Sequence, residues 1–207
     1  MYVKLASATL VAAVLSGCAV GQKFSYSDSS IVLRRVYVGH TTAVAVLDQR
    51  KYVKNGNKSE SFVGLSRGGY GNPFDVDTKS GAPMAFEMAM SIAAALEVKG
   101  LRVQTVTVRP ADGFEGARQA LVRTGSSRNI LFTVDEWKTD TMMRTGLDFD
   151  VTLDVFDSSG NKLAQNRLYG KEISGGSILS AEKDARAWFA AKVSELFHDE
   201  AIEKALH

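Results

Sequence analysis

The chain holds one cysteine, three prolines and three histidines in 207 residues. A single cysteine excludes an intrachain disulfide, so the fold must hold by packing alone. Few prolines mean mostly regular structure. His40, His198 and His207 show no metal-ligand spacing within an element, so no zinc site and no histidine base is expected. There is no G-x-S-x-G elbow for a serine nucleophile and no G-x-x-x-x-G-K-[ST] phosphate loop. Charge is short of either sign: 25 Lys and Arg face 23 Asp and Glu, which leaves no electrostatic footprint for nucleic acid. No apolar run approaches the roughly 20 residues that a membrane-spanning helix needs. What remains is the composition of an ordinary globular domain, with 45% hydrophobic and 23% charged residues.

The lone cysteine stands in an informative place. Lys4 is a positive n-region, and Leu5 to Leu15 (LASATLVAAVL) is an apolar stretch of signal-peptide length. Leu15-Ser16-Gly17-Cys18 then forms a lipobox: a branched apolar residue, two small residues that fit a peptidase site, and a thiol to be thioether-linked to diacylglycerol. Residues 1–17 therefore read as a cleaved lipoprotein signal peptide and Cys18 as the lipid attachment site. Two or three acyl chains, palmitate among them, give stable anchoring where one does not. Residues 18–30, polar and serine-rich (CAVGQKFSYSDSS), read as a tether. Residues 31–207 read as a single periplasmic domain.

Within that domain, AVAVL at 43–47 reads as a strand buried on both faces, and 61–65 as a short return strand. Residues 66–82 (SRGGYGNPFDVDTKSGA) hold four glycines and a proline and read as a loop of unusual length. Pro83 opens a helix that stops at Gly100. A strand is expected over 101–108, a helix over 114–123, and three strands over 129–140, 147–156 and 162–173. LDFDVTLDVF alternates without error, placing Leu147, Phe149, Val151, Leu153 and Val155 on a dry face and Asp148, Asp150, Thr152 and Asp154 on a wet one. A long helix runs from an N-cap at Ser180 to about Leu206, with Trp188, Phe189 and Phe197 in its core stripe. The class is α+β: a mixed, mostly antiparallel sheet of about four to five strands, with two or three helices packed on one face.

The lipobox, the strand AVAVLDQR, the helix AMSIAAALEVKGLRV and the late hairpin before a C-terminal helix resemble the YajG-like family of small Gram-negative lipoproteins. The layout is also similar to penicillin-binding-protein activator lipoproteins, to auxiliary lipoproteins of lipid transporters and to the amino-terminal domain of TolB. That resemblance implies no cofactor and no catalytic residue. It implies a cell-envelope location, and Ala19 after the cysteine, where an Asp would favour inner-membrane retention, implies the outer membrane, facing the periplasm.

Two clusters invite a functional reading. Asp148, Asp150 and Asp154, with Asp135, Glu136 and Asp140 before them, could gather calcium or act as acid and base. Period-two alternation already accounts for their spacing, and the face reads as a solvated outer surface. Arg67, Tyr70 and Phe74 in the 66–82 segment are residue types enriched in interfaces, and read as a partner-binding loop. The expectation is a non-enzymatic binding or scaffolding module for another envelope component. The alternative is an accessory subunit of a lipid- or polysaccharide-transport machine, which would need a concave apolar pocket for an amphipathic ligand.

Overall fold

The computed structural model describes residues 21–27, 29–34 and 39–207. The elements run β1 (Lys23–Phe24), β2 (Thr41–Asp48), α1 (Lys51–Lys54), β3 (Phe62–Arg67), β4 (Pro73–Thr78), α2 (Met84–Val98), β5 (Arg102–Thr105), a 3₁₀ turn (Pro110–Asp112), α3 (Gly113–Val122), β6 (Arg128–Thr141), β7 (Thr145–Asp157), β8 (Lys162–Ile173), α4 (Ala181–Phe197) and α5 (Glu200–Ala205). The expected α+β class stands. The sheet has eight strands rather than four to five.

Strand β6 is the spine. Along one side it pairs β7 antiparallel over its whole length, and β7 pairs β8 in turn. Its other side is shared. β2 lies parallel against the first half, Thr42–Asp48 on Arg128–Val134, and β3 lies parallel against the end, Gly64–Ser66 on Thr139–Thr141. The sheet thus splits into two wings: β5 extends the β2 wing, while β4 and then β1 extend the β3 wing.

Both faces of the β2 wing are covered, which is why β2 is almost wholly apolar. Val44, Val46, Ile130, Phe132, Val134 and the odd positions of β7 face α2 and α4. Ala43, Ala45, Leu47, Leu131 and Phe156 face Ala117 and Leu121 of α3. The expectation of helices on one face is therefore corrected: α3 crosses to the other. Thr152 and Asp154 are buried as well, on the face that the alternation alone marks as wet.

Further corrections follow. The 66–82 segment is mostly a hairpin, not a loop. β3 and β4 pair antiparallel, Ser66 with Phe74 and Arg67 with Pro73, around a five-residue turn. In that turn Gly68 N–H bonds Asn72 O, and Gly71 sits at φ +82°, where glycine is favoured. β5 is shorter than expected because the chain leaves the sheet after Val106 N–H reaches Val44 O, and Val106 and Val108 then pack over the α3 side. The last helix breaks at His198. Asp199 re-caps it, its carboxylate accepting from Ala201 N and Ile202 N, whereas the Ser180 side chain caps no backbone N–H.

The tether is corrected too. Residues within 18–30 enter the domain: β1 pairs β4, and Phe24, Tyr26 and Leu33 are buried in the main core. Tyr26 is held from every side. Its N–H donates to Glu87 Oε2 at 2.7 Å, its carbonyl accepts from Ser91, and its hydroxyl accepts from Trp137 Nε1 at 2.9 Å. Its ring meets Trp137 and Phe189 edge-on. Burial pushes its phenol well above the ordinary tyrosine pKa. The buried Glu87 also accepts from Ser80, so its charge is met by directed donors.

Candidate functional site

The gap between the two wings is the first place where charge is concentrated. β2 ends at Asp48 and β3 begins at Phe62, opposite a bulge in β6 between Val134 and Glu136. Arg50, fully buried, fills it. Its Nε and Nη2 donate to the two oxygens of Asp48 at 2.9 and 2.6 Å, while Nη1 donates to the carbonyls of Phe62 and Trp137 at 2.7 and 3.1 Å. Burial lowers the guanidinium pKa, but the bonds and charge of Asp48 outweigh it and hold it above its ordinary value. The Tyr52 hydroxyl donates to Glu136 at 2.6 Å and to Trp137 O, and burial again pushes the phenol up. One side chain thus joins the end of β2, the start of β3 and the interior of β6. In sequence the signal is Asp48 and Arg50 two residues apart, directly after a strand buried on both faces.

The residues singled out from sequence are at the other end of β3. Arg67 closes β3, with Nε and Nη2 on both oxygens of Asp140 at 2.7 and 2.6 Å. This bidentate pair clamps the hairpin to β6, so Arg67 serves the fold first. Tyr70 is at the tip and 87% exposed. Phe74 lies over Gly68, whose missing side chain leaves room for the ring. The three share the hairpin but do not converge on one point. Cys18 lies outside the described residues.

The acidic face resolves into pairs. Asp150 accepts from Arg167 in two bonds, Asp148 from Lys171, and Asp154 from Lys162 and Gln165. Among the described residues, no three His, Cys, Asp or Glu side chains come together as metal ligands. His40 bonds the carbonyl of His207 and His198 that of Val32, so one nitrogen of each ring is engaged with backbone.

Concavities are modest. A groove of about 150 Å³ runs between α2 and residues 105–109, lined by Phe86, Ala89, Val106 and Val108. That is below the roughly 300 Å³ at which small-molecule pockets begin. A wider depression of about 440 Å³, at Arg128, Leu163, Ala201 and Lys204, is open to solvent.

The turn of the β3–β4 hairpin has neighbours. Because Ser66 pairs with Thr141, the hairpin tip stands beside the β6–β7 turn, where Met142 and Met143 are exposed. Ile173, at the end of β8, pairs with Gly146 at the same end of the sheet, and the loop leaving it carries Leu179, 90% exposed. Tyr70, Met142, Met143, Ile173 and Leu179 form an apolar fringe on one end of the molecule. Sequence reasoning missed four of the five, because they come together only through strand pairing.

No family model and no curated protein matches the chain. Solved structures do resemble it. It is similar to protein XCC0632 from Xanthomonas campestris, of the family model DUF330, at 11% identity, covering 88% of this chain and 92% of that one, with a TM-score of 0.55. It is also similar to lipoprotein GNA1162 from Neisseria meningitidis, at 15% identity over 78% and 100% of the two chains, TM-score 0.46. The PelC dodecamer from Paraburkholderia phytofirmans matches at 14% identity over 81% and 91%, TM-score 0.40. The first of these shares the α+β fold. No residue role is carried over from any of them.

Proposed function

We propose that the chain is a lipid-anchored protein of the Gram-negative cell envelope, held by acyl chains on Cys18 and facing the periplasm from the outer membrane. It acts by binding another envelope component and performs no chemistry of its own. The observation that carries this reading is the run Leu15-Ser16-Gly17-Cys18 behind an apolar leader. No described helix is long and apolar enough to cross a membrane, which agrees with anchoring by lipid. Asp48, Asp150 and Asp154 are each paired with a basic side chain within the fold, which favours binding over acid–base catalysis. The surface available to a partner includes the side of β8 that pairs with no strand among the described residues, an edge twelve residues long. Membership of a YajG-like group agrees with the layout and is part of the same proposal.

Replacing Cys18 by Ser tests it. The wild-type protein is expected in the membrane fraction, with acyl mass on its amino-terminal cysteine. Cys18→Ser is expected in the soluble periplasmic fraction, unacylated. Recovery of the variant in membranes at the wild-type level, with an unchanged amino-terminal mass, would overturn the reading.

A further inference from the structure

The parallel pairing of β1 fixes where a lipid on Cys18 can reach. Lys23 pairs with Asp77, and Asp77 with Phe62. The carbonyls of Phe62 and Trp137 both accept from one nitrogen of Arg50, so Lys23 stands level with Trp137 on the spine strand. From Trp137 to the end of β6 at Thr141 is four residues, about 14 Å at strand rise. From Trp137 to the other end at Arg128 is nine residues, about 31 Å. Cys18 precedes Lys23 by five residues, whose fully extended span is about 18 Å. The lipid therefore reaches the plane of the β6–β7 turn and falls far short of the opposite end.

The end within reach is also the one with the apolar fringe. Tyr70 is 87%, Met143 84%, Ile173 73% and Leu179 90% exposed. The three connecting segments there are GGYGN at 68–72, MMR at 142–144 and SGGSILS at 174–180. They contain no carboxylate and one cation, Arg144. Glycine, serine, methionine, an aromatic and a lone arginine suit the boundary between headgroups and acyl chains, where tyrosine keeps its ring in the apolar layer and its hydroxyl in the wet one. The loops at the opposite end include DSSGN at 157–161 and His198-Asp199, which are polar and carry acid.

We propose that this fringe is a second membrane contact. Tyr70, Met142, Met143, Ile173 and Leu179 lie in the interface of the same phospholipid bilayer that holds the Cys18 lipid. The inference rests on the lipid-anchor reading and adds an orientation to it. The β6–β8 meander then stands away from the membrane, and Arg128, His198 and Lys204 at its far end face the periplasm. Each exposed apolar side chain is weak alone, but the anchor holds all five at the surface, where their effective concentration against lipid is high.

The test uses the full-length acylated protein in vesicles of phosphatidylethanolamine and phosphatidylglycerol. Met143→Cys, Tyr70→Cys and, at the far end, Ser159→Cys are each labelled with an environment-sensitive fluorophore; acylation blocks the Cys18 thiol. All three positions are on exposed turns, and thermal melts verify that the variants fold. Quenching by lipids carrying a spin label on the upper acyl chain is expected to be several-fold stronger at 143 and 70 than at 159. Equal and weak quenching at all three, with acyl mass present on Cys18, would overturn the membrane contact and leave the anchor standing. Absence of acyl mass on Cys18 would remove the anchor and this inference with it. Shielding of labels 70 and 143 by a crosslinked protein, without lipid quenching, would assign the fringe to a protein partner and overturn the proposal.

Discussion

Removing the Arg50 side chain should damage this protein more than removing any exposed ion pair. Arg50 is fully buried and Asp48 is 3% exposed, so the pair is cut off from water on all sides. Arg50→Met keeps much of the volume but takes away two donors to Asp48 and one to each of two carbonyls. A carboxylate is then left desolvated and unpaired, a defect that costs about 3–5 kcal/mol. The carbonyl of Trp137 keeps the Tyr52 hydroxyl as a donor, whereas the carbonyl of Phe62 loses its side-chain donor. An orphaned buried acceptor adds about 1–3 kcal/mol. Domains of this kind have a total stability of about 5–15 kcal/mol, so the loss is a large fraction of the whole.

A double-mutant cycle separates this argument from simple loss of packing. Asp48→Leu alone strands a buried guanidinium and should cost about 3–5 kcal/mol as well. The Asp48→Leu/Arg50→Met protein strands neither charge, and only the Phe62 carbonyl remains, so its loss should return to about 1–3 kcal/mol. Urea titrations followed by the emission of the buried Trp137 give all four stabilities. Additive losses, or a loss below about 1 kcal/mol for Arg50→Met, the size seen for exposed pairs, would refute the reasoning.

Other perturbations follow from the same packing. Leu153, buried on the dry face of β7, should lose about 2–5 kcal/mol on truncation to Ala, while Asp150→Asn on the opposite face should lose little; similar urea midpoints for both would reverse the faces. Gly64→Ala should lower the thermal midpoint by several degrees, because its Cβ would overlap the Thr139 hydroxyl and crowd its carbonyl, forcing β3 off β6; an unchanged midpoint would mean that this pairing is absent. Asp157 is held below the usual carboxylate range by donors from Asn161 and Ser159 in the β7–β8 turn. Its folded pKa is depressed, so its contribution is present at neutral pH and fades as pH falls through that depressed value. Asp157→Ala should therefore melt earlier than wild type at pH 7, and thermal scans should show the gap closing below about pH 4.

Much of the middle and end of the fold was legible because it is written in local patterns. The dry face of LDFDVTLDVF is buried in β7 as its alternation indicates, and Pro83 and Gly100 bracket α2 closely. What was hidden is what strand pairing alone decides. β1 has two residues, too few for any period, although Phe24 and Tyr26 already alternate within the serine-rich run. The β3–β4 hairpin was masked by averaging: its glycines at 68, 69 and 71 belong to a five-residue turn, yet read across 17 residues they make the whole segment look irregular. PFDVDT, taken alone, alternates. The shared side of β6 has no local signature at all, since nothing in β2 or β3 states that both lie along one strand. The apolar fringe was illegible for the same reason: its members come from three separate segments, at 70, 142–143 and 173–179.

The docking of residues 22–27 and 29–33 changes what an anchor would do. A tether spanning residues 18–30 would be 13 residues of free chain, able to stretch about 45 Å and to let the domain roam above the bilayer. Tyr26, fixed by Glu87, Ser91 and Trp137, shortens that leash to the five residues before Lys23. The same contacts tie it to the core, because Trp137 O is bonded by Arg50, which joins the two wings. If Cys18 carries a lipid as proposed, a pull on it would be transmitted to the centre of the sheet. A domain held this way would present one end to the membrane and its long edge, β8, sideways. On the proposed anchoring, a partner that adds a strand to β8 would meet the domain close to the bilayer, along a strand that rises from the surface.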